Sequence, residues 1–125
     1  MIRYLIFVVL LITFSSCSND DELSRDSLNE QLNEILAMAE SVPCEDSTEW
    51  RIVGLGAKPC GGPSSFIAYS VAINTETFLE LVEQYNSDSK AFNEREGLIS
   101  DCAIVLQPNG ILCENGRAIL VYEPF

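Results

Sequence analysis

Cysteine is the residue type that carries the most chemistry in this chain of 125 residues, which contains five cysteines. Cys17 follows an apolar N-terminal stretch and stands apart from Cys44, Cys60, Cys102 and Cys113. In an oxidising compartment, an even set of four cysteines predicts two disulfides. Three pairings are open. We favour Cys44–Cys60 with Cys102–Cys113, because each pair flanks a turn-rich segment.

Two other cysteine chemistries fit the sequence less well. Structural zinc sites use closely spaced ligands, and no two of these cysteines form a C-x-x-C pair. A reactive thiol at Cys60 would need an activating base, and the chain contains no histidine. We therefore expect structural disulfides, no metal site and no cofactor.

The polar residues beside two of these cysteines are the other candidates for a site. Glycines 61 and 62 would let a ligand approach the backbone closely, but no phosphate-binding pattern surrounds them, so a tight turn is favoured. Asp101 could belong to a site or could cap a turn through its own backbone contacts. The candidate binding surface consists of Cys60, Gly61, Gly62, Pro63, Ser100 and Asp101.

Acidic residues dominate the charge of the chain, with 19 Asp and Glu against seven Lys and Arg and a net charge of −12. Such a surface repels nucleic acid and anionic lipid headgroups, because both require cationic contacts. It serves solubility, or it attracts a basic protein partner. The carboxylates Glu94, Glu96, Asp101 and Glu114 have no spacing that selects two of them as a glycosidase acid–base pair.

The first sixteen residues have the layout of a signal peptide. Arg3 precedes an apolar run from Leu5 to Phe14, and two small residues separate that run from Cys17. The run is shorter than the roughly 20 apolar residues that a spanning helix needs. We therefore expect residues 1–16 to be removed after export.

The segment Phe14-Ser15-Ser16-Cys17 resembles the lipobox of bacterial lipoproteins, with Phe14 where Leu is usual. This resemblance implies that Cys17 carries acyl chains as the first mature residue. The acidic residues from Asp20 to Glu22 are similar to the signal that sends lipoproteins of the Bacteroidota to the outer face of the outer membrane. Residues 17–26 are then an acidic tether, and the resemblance implies a lipid-anchored domain exposed on the outer face of the outer membrane.

Residues 27–125 read as a single domain. The pattern predicts a helix from Ser27, with Glu30 completing a capping box, to about Ser41. A second helix follows from Asn74 to about Glu94 or Glu96, with Gly97 as its stop. Strands are expected at 50–55, 65–71, 103–106, 111–113 and 118–122, and the Asn-Gly pair at 115–116 predicts a hairpin turn. The expected fold is α+β, with two helices packed on one face of a small, mainly antiparallel sheet and stapled by disulfides.

Several motifs along this domain occur together. They are Lys58-Pro59-Cys60-Gly61-Gly62-Pro63 with Tyr69-Ser70, Phe92-Asn93 with Gly97, and Ser100-Asp101-Cys102 with Pro108, Cys113, Asn115 and Gly116. The set resembles a group of small uncharacterised bacterial lipoproteins with a CGGP turn and an SDC motif, over roughly residues 44–122. The resemblance implies an exported, compact, disulfide-bearing domain and implies no catalytic activity.

From these observations we expect a non-enzymatic binding or interaction module, with a protease-inhibitor-like role as one form of it. Its expected partners are the membrane, through the lipid anchor, and an envelope or extracellular protein, but not nucleic acid. The alternative is a small envelope hydrolase or thiol enzyme centred on Cys60 and Asp101.

Overall fold

The computed structural model describes residues 23–123. The predicted signal peptide, Cys17 and most of the predicted tether lie outside the described residues. No helix in the described part is long and apolar enough to cross a membrane. The elements, in chain order, are α1 Arg25–Ala39, a 3-10 helix Ser47–Glu49, β1 Trp50–Leu55, β2 Ser65–Ser70, α2 Thr75–Arg95, β3 Gly110–Glu114 and β4 Arg117–Val121.

Helix α1 begins two residues before the predicted start, because Ser24 rather than Ser27 is its N-cap. The backbone N–H of Ser27 donates to Ser24 Oγ at 3.0 Å, and the backbone N–H of Ser24 donates to Ser27 Oγ at 2.9 Å. This reciprocal pair satisfies two donors at the start of the helix. The capping box is therefore formed by Ser24 and Ser27, and not by the predicted pair of Ser27 and Glu30. The helix ends at Ala39, ahead of Pro43.

Strands β1 and β2 form an antiparallel hairpin in which Trp50 lies opposite Ser70 and Leu55 lies opposite Ser65. The hairpin is apolar on both faces. One face packs on the helices through Val53, Leu55, Ile67 and Tyr69, and the other carries Trp50 and Ala68 toward the second hairpin.

The main core lies between the two helices and the first face of this hairpin. Ile35 of α1 and Phe78 of α2 are fully buried there, and Val82 is nearly so. Residues 78, 82 and 92 recur at helical spacing, which explains why α2 buries one continuous face.

Strands β3 and β4 form a second antiparallel hairpin, closed by Asn115 and Gly116. Both turn residues have positive φ, 51° and 76°, as a two-residue turn of this class requires. Its inner face packs on Trp50, whereas Leu112 and Ile119 oppose each other on the exposed outer face. The α+β class with two helices and two disulfides is confirmed, but the strands form two separate two-stranded sheets rather than one sheet.

The prediction of a strand at residues 103–106 is wrong, since this segment has no regular secondary structure. Ile104 and Leu106 are exposed, and no neighbouring strand among residues 23–123 pairs with them. An apolar run forms a strand only when its backbone hydrogen-bonds to a neighbouring strand, and residues 103–106 pair with neither hairpin.

Candidate functional site

The two disulfides join Cys44 to Cys113 and Cys60 to Cys102. The favoured pairing of Cys44 with Cys60 and Cys102 with Cys113 is therefore wrong, although the number of bridges is right. The bridges are nested, because the 60–102 loop lies inside the 44–113 loop. Sequence proximity favoured the short loops, whereas the path of the chain decides which cysteines meet.

Helix α2 and the second hairpin explain this connectivity. The helix carries the chain from Thr75 back to Arg95, so that Cys102 returns to the turn that contains Cys60. The second hairpin turns Cys113 inward toward buried Cys44, whose backbone N–H donates to the Gly116 carbonyl at 2.9 Å.

The turn that holds Cys60 is a closed loop of the backbone. The Lys58 N–H donates to the Gly62 carbonyl at 2.9 Å, and the Gly61 N–H donates to the Lys58 carbonyl at 2.9 Å. Gly61 and Gly62 have φ values of 101° and 78°, which L-residues with side chains rarely adopt. Pro63 packs over Gly54, where an added Cβ would lie 3.0 Å from the proline Cβ.

Two asparagines of α2 attach the base of this turn to the core. The Asn86 side chain accepts from the Gly56 N–H at 2.6 Å and donates to the Gly54 carbonyl at 3.1 Å. Two turns further along the helix, the Asn93 side chain donates to the Ala57 carbonyl at 2.7 Å. The helix therefore fixes the turn through side-chain amides, which match a backbone donor and acceptor together.

The Ser100–Cys102 segment lies against the same turn. Ser100 Oγ donates toward Cys60 Sγ at 3.4 Å, and Asp101 Oδ1 accepts from the Ala103 N–H at 3.2 Å. Cys102 has a φ of 56°, the left-handed region that costs a non-glycine residue energy. The predicted turn-capping role of Asp101 is thus observed, and the disulfide holds Cys102 in this conformation.

Lys58 joins the two halves of the region. Its side chain is only 15% exposed, and Nζ lies 3.4 Å from Asp101 Oδ1 and donates to the Ala103 carbonyl. The Ala103 N–H hydrogen bond first, and then the Lys58 ammonium, hold the pKa of the Asp101 carboxyl below its usual range. Asp101 is therefore a largely exposed, fully ionised carboxylate at neutral pH, the opposite of a carboxyl tuned to donate a proton.

Two large apolar side chains on either side of Cys102 are exposed to solvent. Ile99 is 93% exposed and Ile104 is 91% exposed, on either side of the bridged Cys102. We name residues 58–63 and 99–104, joined by the Cys60–Cys102 bridge, the bridge surface. It brings together all six residues of the predicted binding surface and encloses a cavity of about 370 Å³ beside Cys60, Cys102 and Ile104.

Within residues 23–123, no group of three or more Cys, Asp or Glu side chains lies close enough together to hold a metal ion. Sequence reasoning missed Lys58 and Asn86 as residues that build the region. The amphipathic pattern of α2 shows Asn86 only as a polar position, and its distant backbone partners become visible in three dimensions alone.

The chain matches no protein-family model, no curated protein and no solved structure in the comparisons with known proteins.

Proposed function

We propose that the chain is an exported, lipid-anchored module that binds a basic envelope or extracellular protein through the bridge surface and catalyses no reaction. The observation that carries the proposal is the exposure of Ile99 and Ile104 beside a covalently fixed backbone. Isolated apolar residues at a surface are ordinary, but two nearly fully exposed isoleucines flanking a bridged residue fit the apolar centre of an interface.

The fixed backbone supports binding in a second way. The Cys60–Cys102 bridge, the buried Lys58 stem and the two asparagine contacts restrict the segment before any partner arrives. Restricting a binding segment in advance lowers the conformational entropy that association costs. The same property suits a protease-inhibitor-like role, which is one form of the proposal.

The charge of the chain supports a basic partner. The net charge of −12 attracts cationic proteins and repels anionic ones. Exposed Asp101 lies within the bridge surface and can accept from a Lys or Arg side chain at the rim of an interface. We therefore expect association to slow as ionic strength rises.

The alternative, a thiol enzyme or hydrolase centred on Cys60 and Asp101, has less support. All four cysteines of the described part are in disulfides, and Asp101 is exposed and ionised. A thiol count on the denatured, unreduced protein tests this alternative, since one reactive thiol at Cys60 would favour the enzyme.

A photo-crosslinking amino acid at position 99 or 104 tests the binding proposal in cells that export the full chain. We expect an adduct with one basic protein, and we expect its yield to fall in the Cys60→Ser/Cys102→Ser variant. Positions 112 and 119 are matched controls, because they are exposed apolar positions on the outer face of the second hairpin. Equal adducts at the control positions, or none at positions 99 and 104, would contradict the proposal.

The anchor and the location are tested separately. Mass spectrometry of the mature protein should show an acylated Cys17 as its first residue, and protease added to intact cells should remove the domain. A mature chain that retains residues 1–16, or one that resists the protease until cells are broken, would overturn those two parts respectively.

A further inference from the structure

A second cavity lies where α1 and both hairpins meet, and it shares no lining residue with the bridge surface. Its volume is about 390 Å³, within the range of pockets that hold small molecules. We name it the groove. Most of its lining residues have apolar side chains, among them Leu36, Ala39, Trp50, Phe66, Ala118 and Leu120.

The groove is held open by covalent and polar contacts on one side. The Cys44–Cys113 bridge fixes the second hairpin to the chain that follows α1, and the hydrogen bond from Cys44 to Gly116 fixes its tip. Buried Trp50 supports the same hairpin from below. These contacts hold the second hairpin, which forms one wall of the groove, in its position without any ligand.

Two opposite charges stand among the lining residues of the groove. Arg117 Nη2 lies 3.6 Å from Glu40 Oε1, and both side chains are mostly exposed. Together they carry no net charge, yet they offer hydrogen-bond donors and acceptors side by side. The other side chains that line the groove are uncharged.

From this arrangement we infer that the groove binds an uncharged amphiphile, with an apolar body and a head group that both donates and accepts hydrogen bonds, such as a primary amide. The apolar body would cover Leu36, Trp50 and Leu120, which removes apolar surface from water. The head group would meet Glu40 and Arg117 together. The Glu40 carboxylate and the acidic chain would repel an anionic head group, and the Arg117 guanidinium would repel a cationic one.

The fluorescence of the chain's single tryptophan can be used to measure binding in the groove. Trp50 lines the groove, so its fluorescence should report occupancy in the purified full chain. We would titrate octanamide, octanoate and octylamine, which share one apolar length and differ in the charge of the head. Octanamide should give a saturable change and bind about two- to fivefold more tightly than either charged probe, since exposed charges contribute modestly.

Charge variants test the role of the head group. Glu40→Gln leaves Arg117 unopposed, so the preference should move to octanoate, and Arg117→Gln should move it to octylamine. Both side chains are exposed, so neither variant should disturb folding. Ala118→Leu should fill the groove and reduce binding of all three probes, whereas Ile119→Ala, on the opposite face of β4, should leave binding unchanged.

The inference is overturned if Trp50 fluorescence shows no saturable change with octanamide. It is also overturned if the order of the three probes is the same in wild type, Glu40→Gln and Arg117→Gln, or if Ile119→Ala weakens binding as much as Ala118→Leu. Should Ala118→Leu fail to fold, the two charge variants decide. The result is independent of the bridge surface.

Discussion

Cys60 and Cys102 lie 5.3 Å apart, Cα to Cα, although they are 42 positions apart in the sequence. Between them the chain forms one hairpin strand, the whole of α2 and the turn at Gly97. The bridge therefore depends on the tertiary path of the chain. It places the segment that contains exposed Ile99 and Ile104 beside the CGGP turn.

The nested pairing predicts a specific peptide map. Trypsin cuts after Arg51, Lys90 and Arg95, and chymotrypsin after Leu106 separates Cys102 from Cys113. Digestion of the unreduced protein with both enzymes should link the Cys44 peptide to the Cys113 peptide and the Cys60 peptide to the Cys102 peptide. Mass spectrometry that finds Cys44 linked to Cys60 would contradict the structure.

The two bridges should differ in their reduction under native conditions. Both Cys60 and Cys102 are exposed, whereas Cys44 is buried beneath Trp50. Attack on a disulfide requires access to sulfur, so a graded dithiothreitol series should open the Cys60–Cys102 bridge first. Alkylation followed by mass spectrometry gives the order, and earlier labelling of Cys44 and Cys113 would contradict this expectation.

Asn86→Ala should destabilise the fold by about 1–3 kcal/mol, because it leaves two partly buried backbone groups without their partner. Urea unfolding measures the loss. Ser87→Ala is the control, since Ser87 is exposed on the same helix and should change stability by less than about 0.5 kcal/mol. Equal effects of the two variants would mean that Asn86 does not support the turn.

The Asp101 carboxyl should titrate below the ordinary aspartate range in an NMR experiment on its carboxyl carbon. Since its pKa is depressed in the folded chain, the contribution of the carboxylate to stability is present above the unfolded-state pKa. It is lost as the pH falls through the folded-state pKa.

Lys58→Gln should raise the pKa of Asp101 only part of the way to the ordinary value, because the Ala103 N–H hydrogen bond, the largest single cause of the shift, does not involve the Lys58 side chain. Asp46 is the control. The Thr48 hydroxyl and N–H lower its pKa, and neither involves Lys58. An unchanged Asp101 titration in Lys58→Gln would show that the ammonium does not act on it.

Local sequence determined most of the secondary structure, because each signal acts within a few residues. Strand β1 and the Asn115–Gly116 turn lie where the pattern predicts them, since alternating apolar residues and an Asn-Gly pair define a hairpin with little help from the rest of the chain. The helical spacing of Phe78 and Val82 likewise places both side chains on the buried face of α2.

The tertiary structure alone decided which cysteines pair, whether Ile104 joins a strand, and where the asparagines of α2 bind. Each outcome depends on groups that are distant in sequence: Cys102 needs the return path through α2, and the segment of Ile104 pairs with no strand of either hairpin. Sequence periodicity reports only which side of an element is apolar. It does not tell which other element packs against that side. The packing of distant elements forms both the bridge surface and the groove.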